Sequence, residues 1–335
     1  MKQSIYKIVI FLGLVTCSSN TFAEIKLSNA LAKDIGQAYG FYLGQDYSLN
    51  EIPKKYPSLS GLALIAEKKF SASFKSSIEG MDAIMSKHTK KEWEKIKSQL
   101  TKQIASSINI NQITESQARQ FIELVSQRAK GNIESPVIET FLLFKSGYEK
   151  RPEREFLDGY KFKYTTDGEG KAKGVAFSIE SPKTWKAKEG NRPNIVQKFV
   201  SENGRGLELL LIIIKNMPLQ PGEKITEKDV SEFLNPKDIK DFIPDGATYI
   251  NSGKLTLENL PGLWVHFKMN VSRVRNSVAM ETIMYTIFYK NKMIQIQGQV
   301  MTSVNGKQMD SGGLKKYEKL FDLMANSFVL PGMYK

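Results

Sequence analysis

The chain has one cysteine and two histidines in 335 residues. It also lacks a hydrophobic run long enough to anchor it stably across a bilayer. Each shortage excludes some chemistry. Cys17 is the sole cysteine and lies near the N-terminus. If that end is cleaved, disulfides, thiol catalysis and cysteine-based metal sites go with it. Neither His88 nor His266 has another His, a Cys or a carboxylate at ligand spacing, so no metal is expected. There is no Gly-x-Ser-x-Gly elbow for a nucleophile. No catalytic residue and no cofactor are expected. The basic residues are mostly lysine, and they scatter. Lys68-Lys69, Lys90-Lys91 and Lys315-Lys316 are pairs rather than runs, so nucleic acid is not the expected partner.

What the N-terminus does have is an export pattern. Lys2 and Lys7 flank the start, Ile8–Val15 is a short apolar stretch, and Thr21 and Ala23 suit cleavage before Glu24. Residues 1–23 therefore read as a signal peptide, and the mature chain as periplasmic or secreted. Leu14–Cys17 offers a lesser alternative, a lipoprotein site. It carries Thr16 where Gly, Ala or Ser is usual. The net charge is +13, and removing Lys2 and Lys7 leaves +11. That charge is either a plain solvated surface or an attraction to anionic envelope components or acidic proteins.

Residues 24–148 read as a helical domain of about five helices. Ser28 is placed to cap the first, through Gln45, with Leu31, Ile35, Ala38 and Tyr42 on one face. Pro53 and Pro57 predict a connection. Leu59, Leu62, Ala66, Phe70, Phe74, Ile78, Met81 and Met85 form one stripe of a long helix. Thr89 with Glu92 opens the next, burying Trp93, Ile96, Leu100 and Ile104. Thr114 with Gln117 caps another, and Ser135-Pro136 starts the last. Gly36, Gly40 and Gly44 fall at helical spacing and read as close-contact positions. Ala38-Tyr39 through Leu43-Gly44, with Ile78–Ala83, resembles the dimerisation arm of exported FKBP-type prolyl isomerases. The resemblance implies a homodimer. No FKBP catalytic domain follows, so it implies no isomerase activity.

Residues 149–159, charged and holding Pro152, read as a linker. Residues 160–335 change period. Tyr160–Tyr164 alternates, Val175–Ile179 is a second strand, and Ile195–Val200 and Leu207–Lys215 flank an Asn203-Gly204 hairpin. Thr226 with Asp229 caps a helix. Four strands follow, over Thr248–Leu257, Leu263–Val274, Val278–Tyr289 and Met293–Thr302. A helix from Gly313 to Asn326 closes the order. The expected fold class is an all-α N-terminal domain plus an α+β C-terminal domain, an antiparallel sheet with helices on its faces. Ala176–Trp185 (AFSIESPKTW) resembles the opening of PsbP-like domains, as does the closing helix before Ala325–Phe328. The resemblance implies an α/β/α sandwich and a non-enzymatic assembly or binding factor.

Candidate binding residues gather in two loops and one strand. Asn191, Arg192 and Asn194 follow Trp185 in a loop. Arg273 and Arg275 flank a turn. His266 shares a strand face with Trp264 and Lys268. Ser311-Gly312-Gly313 precedes a helix where an anion would be favoured. A hydrolase or isomerase would need carboxylates such as Glu258 and Glu281 to converge, and nothing in the sequence converges them. The expected function is an exported accessory protein: the α+β domain binds a protein partner, and the helical domain docks or dimerises. An anionic-ligand binder of the envelope is the alternative.

Overall fold

The computed structural model describes residues 27–220, 222–273, 276–308 and 312–334. The export segment, its cleavage site and Cys17 lie outside them. The chain divides into two compact units with the boundary between Lys150 and Arg151.

In the helical unit, the Ser28 side chain accepts the Leu31 N–H at 3.2 Å and caps α1 (Asn29–Lys55). This helix is longer than expected. It runs through Pro53, which sits in its last turn rather than in a connection. A proline there removes a bond near an end that frays anyway. After a short 3₁₀ turn, α2 spans Ser60–Ser107, broken at Thr89 (φ −147°, ψ 45°). The Thr89 hydroxyl donates back to the Met85 carbonyl at 3.2 Å. Before the break the stripe is buried from Ala66 to Met85, but Leu62 is exposed beside Leu64 and Ile65. After the break only Trp93 is buried. Ile96 is exposed, and Leu100 and Ile104 are half-buried. Trp93 is held by its indole N–H donating to Asp82 (2.8 Å) and by an edge-on contact with Tyr39 (5.0 Å). Next come α3 (Glu115–Arg128), with the expected Thr114–Gln117 capping box, α4 (Val137–Leu143) and α5 (Ser146–Lys150). Phe70, Phe74 and Phe141 pack at the centre of this unit.

The α+β unit begins inside the stretch read as a linker. Helix α6 (Glu153–Leu157) buries Glu155, whose carboxylate accepts from the Thr184 N–H (2.8 Å) and hydroxyl (2.6 Å). Strands β1 (Lys161–Thr166) and β2 (Phe177–Pro182) form a two-stranded sheet. The main sheet contains β3 (Lys186–Glu189), β4 (Ile195–Val200), β5 (Glu208–Asn216), β6 (Thr248–Leu257), β7 (Leu260–Arg273), β8 (Asn276–Tyr289) and β9 (Lys292–Val304). Its order is β3-β4-β5-β9-β8-β7-β6, all antiparallel, with a short β10 (Lys307–Gln308) beside β9. The β4–β5 turn is looser than a two-residue hairpin, with Glu202 and Asn203 both left-handed.

Two helices cover opposite faces. Helix α7 (Glu227–Phe233) keeps the Thr226–Asp229 capping box and packs Val230 and Phe233 against Val265, Phe267 and Phe288. Helix α8 (Gly313–Asn326) packs Leu320, Phe321 and Met324 on Ile283, Ile296 and Leu210. Gly298 on β9 makes that approach close. A Cβ there would lie 2.4 Å from the Phe321 ring. The observed class is the expected one, a helical N-terminal region and an antiparallel α+β C-terminal unit.

Candidate functional site

Strand register gathers a basic end on the sheet. On β5, Lys215 follows Leu211 and Ile213 on one face, opposite Met293 of β9. The next β5 residue, Asn216, pairs with Lys292. The loop before β4 closes over the same end. The Asn194 carbonyl accepts the Ile214 N–H at 2.9 Å, and its side-chain oxygen accepts from Lys173. Gly190 lets this loop fold tightly, since a Cβ there would sit 2.3 Å from the Ile195 carbonyl. Lys171 ties the loop down by donating to the Gly190 carbonyl and pairing with Glu189 at 2.6 Å.

Three lysines thus share one neighbourhood. Lys215 is 7% exposed. Burial, helped by the charge of Lys173, pushes its ammonium down to about 8. Burial and the charge of Lys292 likewise lower Lys173.

Next to Lys215 on the same face runs a polar ladder. Gln295, Gln297 and Gln299 of β9 are all buried, flanked by Thr282, Met284 and Thr286 of β8 and by Leu209, Leu211 and Ile213 of β5. Sequence reading missed Lys215 and the ladder. The one available signal was the alternation Ile294-Gln295-Ile296-Gln297, which reads as an ordinary wetted strand face.

The candidate residues from the sequence separate in space. Asn194 belongs to the basic end. Asn191 is exposed, and its side-chain oxygen accepts from Lys198 at 3.4 Å. Arg192 is half-buried, with its carbonyl accepting the Ile195 N–H. Trp185 is a core residue, 4% exposed and edge-on to Phe321 at 6.1 Å. It packs into the apolar core under α8. Arg273 ends β7, and Arg275 lies outside the described residues. Val278, just after that stretch, pairs with Val304 of β9, while Ile213, next to the Asn194 contact, pairs with Gln295, about 30 Å away at strand spacing.

His266 stands in a third place. Its Nε2 lies 2.9 Å from Glu281 of β8, correcting the expectation that it has no carboxylate neighbour. Register, not sequence spacing, brings them together. Glu281 also takes Lys268 at 3.5 Å and accepts the Leu314 N–H at 3.2 Å. The start of α8, read as an anion site, therefore already holds a carboxylate of this chain. Ser311 lies outside the described residues. Burial opposes ionisation of Glu281. The Leu314 amide, His266 and Lys268 outweigh it and hold the carboxyl below the usual range. Glu258 is elsewhere, accepting the Leu330 N–H at 2.9 Å. It stands about 26 Å from Glu281 by strand count along β7. Among the described residues, no group of three or more His, Cys, Asp or Glu is placed to hold a metal. None of the described helices is long and apolar enough to cross a membrane.

No protein-family model matches the chain, and no curated protein matches it. Solved structures do. Cyanobacterial PsbP (CyanoP) from Synechocystis is 18% identical, with a TM-score of 0.32, covering 51% of this chain and 92% of its own. LpqN of Mycobacterium tuberculosis, involved in cell envelope biogenesis, is 10% identical, with a TM-score of 0.32 and coverage of 52% and 93%. A PsbP is thus among the similar structures, the family that Ala176–Trp185 resembles. The resemblance of the helices to FKBP dimerisation arms gains no support. Gly36 and Gly44, read as contact positions, have no atom within 4 Å of where a Cβ would stand.

Proposed function

We propose that the protein is an exported, non-enzymatic accessory protein whose α+β unit binds an acidic protein partner at the basic end of the sheet. The helical unit docks or dimerises, and exposed Leu62, Leu64 and Ile65 offer it a surface. The observation that carries the reading is Lys215, a buried lysine held beside Lys173 at the end that also receives Lys292 and Asn194. An acidic partner complements this basic end and gains speed of encounter from the +11 expected of the mature chain.

The test is affinity capture from a periplasmic extract, with captured proteins identified by mass spectrometry. Lys173→Glu/Lys292→Glu is expected to weaken capture by about tenfold or more, the size of one to two surface charge terms. Rising salt is expected to weaken wild-type capture too. Partners retained equally by the double variant and at high salt would overturn the reading.

A further inference from the structure

The two edges of the main sheet differ. Among the described residues, β3 and β6 are its end strands. β3 is four residues long and three of them are charged, Lys186, Lys188 and Glu189. Short, charged edges resist pairing with another chain. β6 is ten residues long and carries one charge, Lys254. Its outer side meets no other strand of the described protein. Thr248 to Asn251, Lys254 and Thr256 are exposed.

The hairpin to β7 decides which backbone groups point outward. Leu257 pairs with Leu260 across a two-residue turn, Glu258-Asn259, with both turn residues left-handed. Such a turn makes the flanking pair a hydrogen-bonded one. Alternation then aims the N–H and C=O of Leu257, Leu255 and Gly253 at β7, and those of Thr256, Lys254 and Ser252 away from it. One end of this edge is blunted. The register slips between Tyr249 and Asn251, and the Asn251 side-chain oxygen accepts the Ser252 N–H at 2.8 Å. From Gly253 to Leu257 the register is regular.

We propose that this edge pairs with the same edge of a second copy, antiparallel, about a two-fold axis at Leu255. The edge is complementary to itself in that register. An axis at Lys254 would set lysine against lysine, which cross-strand pairs penalise. An axis at Gly253 would need the Ser252 N–H that Asn251 already takes. An axis at Leu255 sets Lys254 opposite Thr256 of the second copy, where the two exchange both backbone bonds, and symmetry repeats the exchange. Leu255, half-buried at the border of the core under α8, meets Leu255 of the second copy in a non-hydrogen-bonded pair, where side chains come closest. Lys254 falls diagonal to Glu258 of the second copy, an opposite-charge neighbour. Glu258 accepts from the Leu330 N–H and the Tyr334 hydroxyl, both neutral, and pairs with no cation among the described residues. This surface is independent of the acidic-partner reading, because the basic end lies on β5, four strands away.

The test is disulfide trapping in the full chain carrying Cys17→Ser, which removes the native thiol. Leu255→Cys is expected to form an intermolecular disulfide, because facing Cα atoms of a non-hydrogen-bonded pair stand about 4.5 Å apart, within disulfide reach. Thr256→Cys is expected to form one at least about tenfold more slowly, since its counterpart stands two residues along the other strand, about 8 Å away. Sedimentation of the wild type is expected to show a dimer that grows with concentration. Lys254→Pro removes an outward N–H and spares the ladder to β7, so it is expected to weaken the dimer by about tenfold or more. Circular dichroism checks that each variant folds; if Leu255→Cys does not, sedimentation decides. A strictly monomeric wild type would overturn the proposal and leave the edge to a strand of another protein. So would equal trapping at Leu255 and Thr256, the mark of random collision. A dimer that Lys254→Pro leaves intact would also overturn it, the mark of another surface such as Leu62, Leu64 and Ile65.

Discussion

Gly298→Val is expected to destabilise the full chain by about 3 kcal/mol and lower its melting temperature by about 6–12 °C. The reason is contact distance. A Cβ at Gly298 would stand 2.4–2.7 Å from three ring carbons of Phe321. That ring cannot give way easily. It is fully buried, edge-on to Trp185 at 6.1 Å and against Tyr317 at 6.2 Å. Relief would require α8 to lift from the sheet, exposing Leu320 and Met324 with it. Gly36→Ala is the control. It meets open space in a helix, where alanine gains about 0.5–1 kcal/mol over glycine. Thermal unfolding followed by circular dichroism checks both. A Gly298→Val protein that melts with the wild type would mean that α8 does not press on β9.

Glu281→Ala is expected to cost about 2–3 kcal/mol at neutral pH, the range for losing a charged hydrogen-bond partner in a buried place. The change strips an acceptor from the Leu314 N–H, at the first turn of α8, and leaves His266 and Lys268 without their carboxylate. Another polar anchor of α8, Tyr285 donating to Asp322, remains. The pH dependence follows from the lowered carboxyl. A carboxylate with a depressed folded-state pKa stabilises the fold above its unfolded value. That contribution is lost as pH falls through the folded value, here below the usual carboxylate range. Urea unfolding should therefore show a gap between wild type and Glu281→Ala that is full at neutral pH and narrows in acid. A gap unchanged in acid would contradict the assigned role.

These residues show what a linear reading can and cannot reach. The β6–β9 strands and α8 were legible, because alternation, turn residues and an amphipathic stripe are local properties. The capping boxes at Thr114 and Thr226 were legible for the same reason. Partners set by register were not. His266 meets Glu281, and Lys215 neighbours Gln295, only after strands pair. Burial misled in both directions. Ile96, Leu100 and Ile104 keep helical spacing but are not fully buried. Gln295, Gln297 and Gln299 look like a solvent face and are covered. Trp185 drew notice as an aromatic beside a loop and turned out to be core. The charged run at 149–159 hid a helix, because Glu155 is satisfied by Thr184 from far along the chain.

The central claim is that Lys215 is a desolvated cation in a basic neighbourhood at one end of the sheet. Its titration can be followed directly by ¹³C NMR of the lysine ε-carbons, with Lys215→Met assigning the signal. The account predicts a midpoint near 8 in the free protein, far below the ordinary lysine value of 10.5. A midpoint at the ordinary value would contradict it.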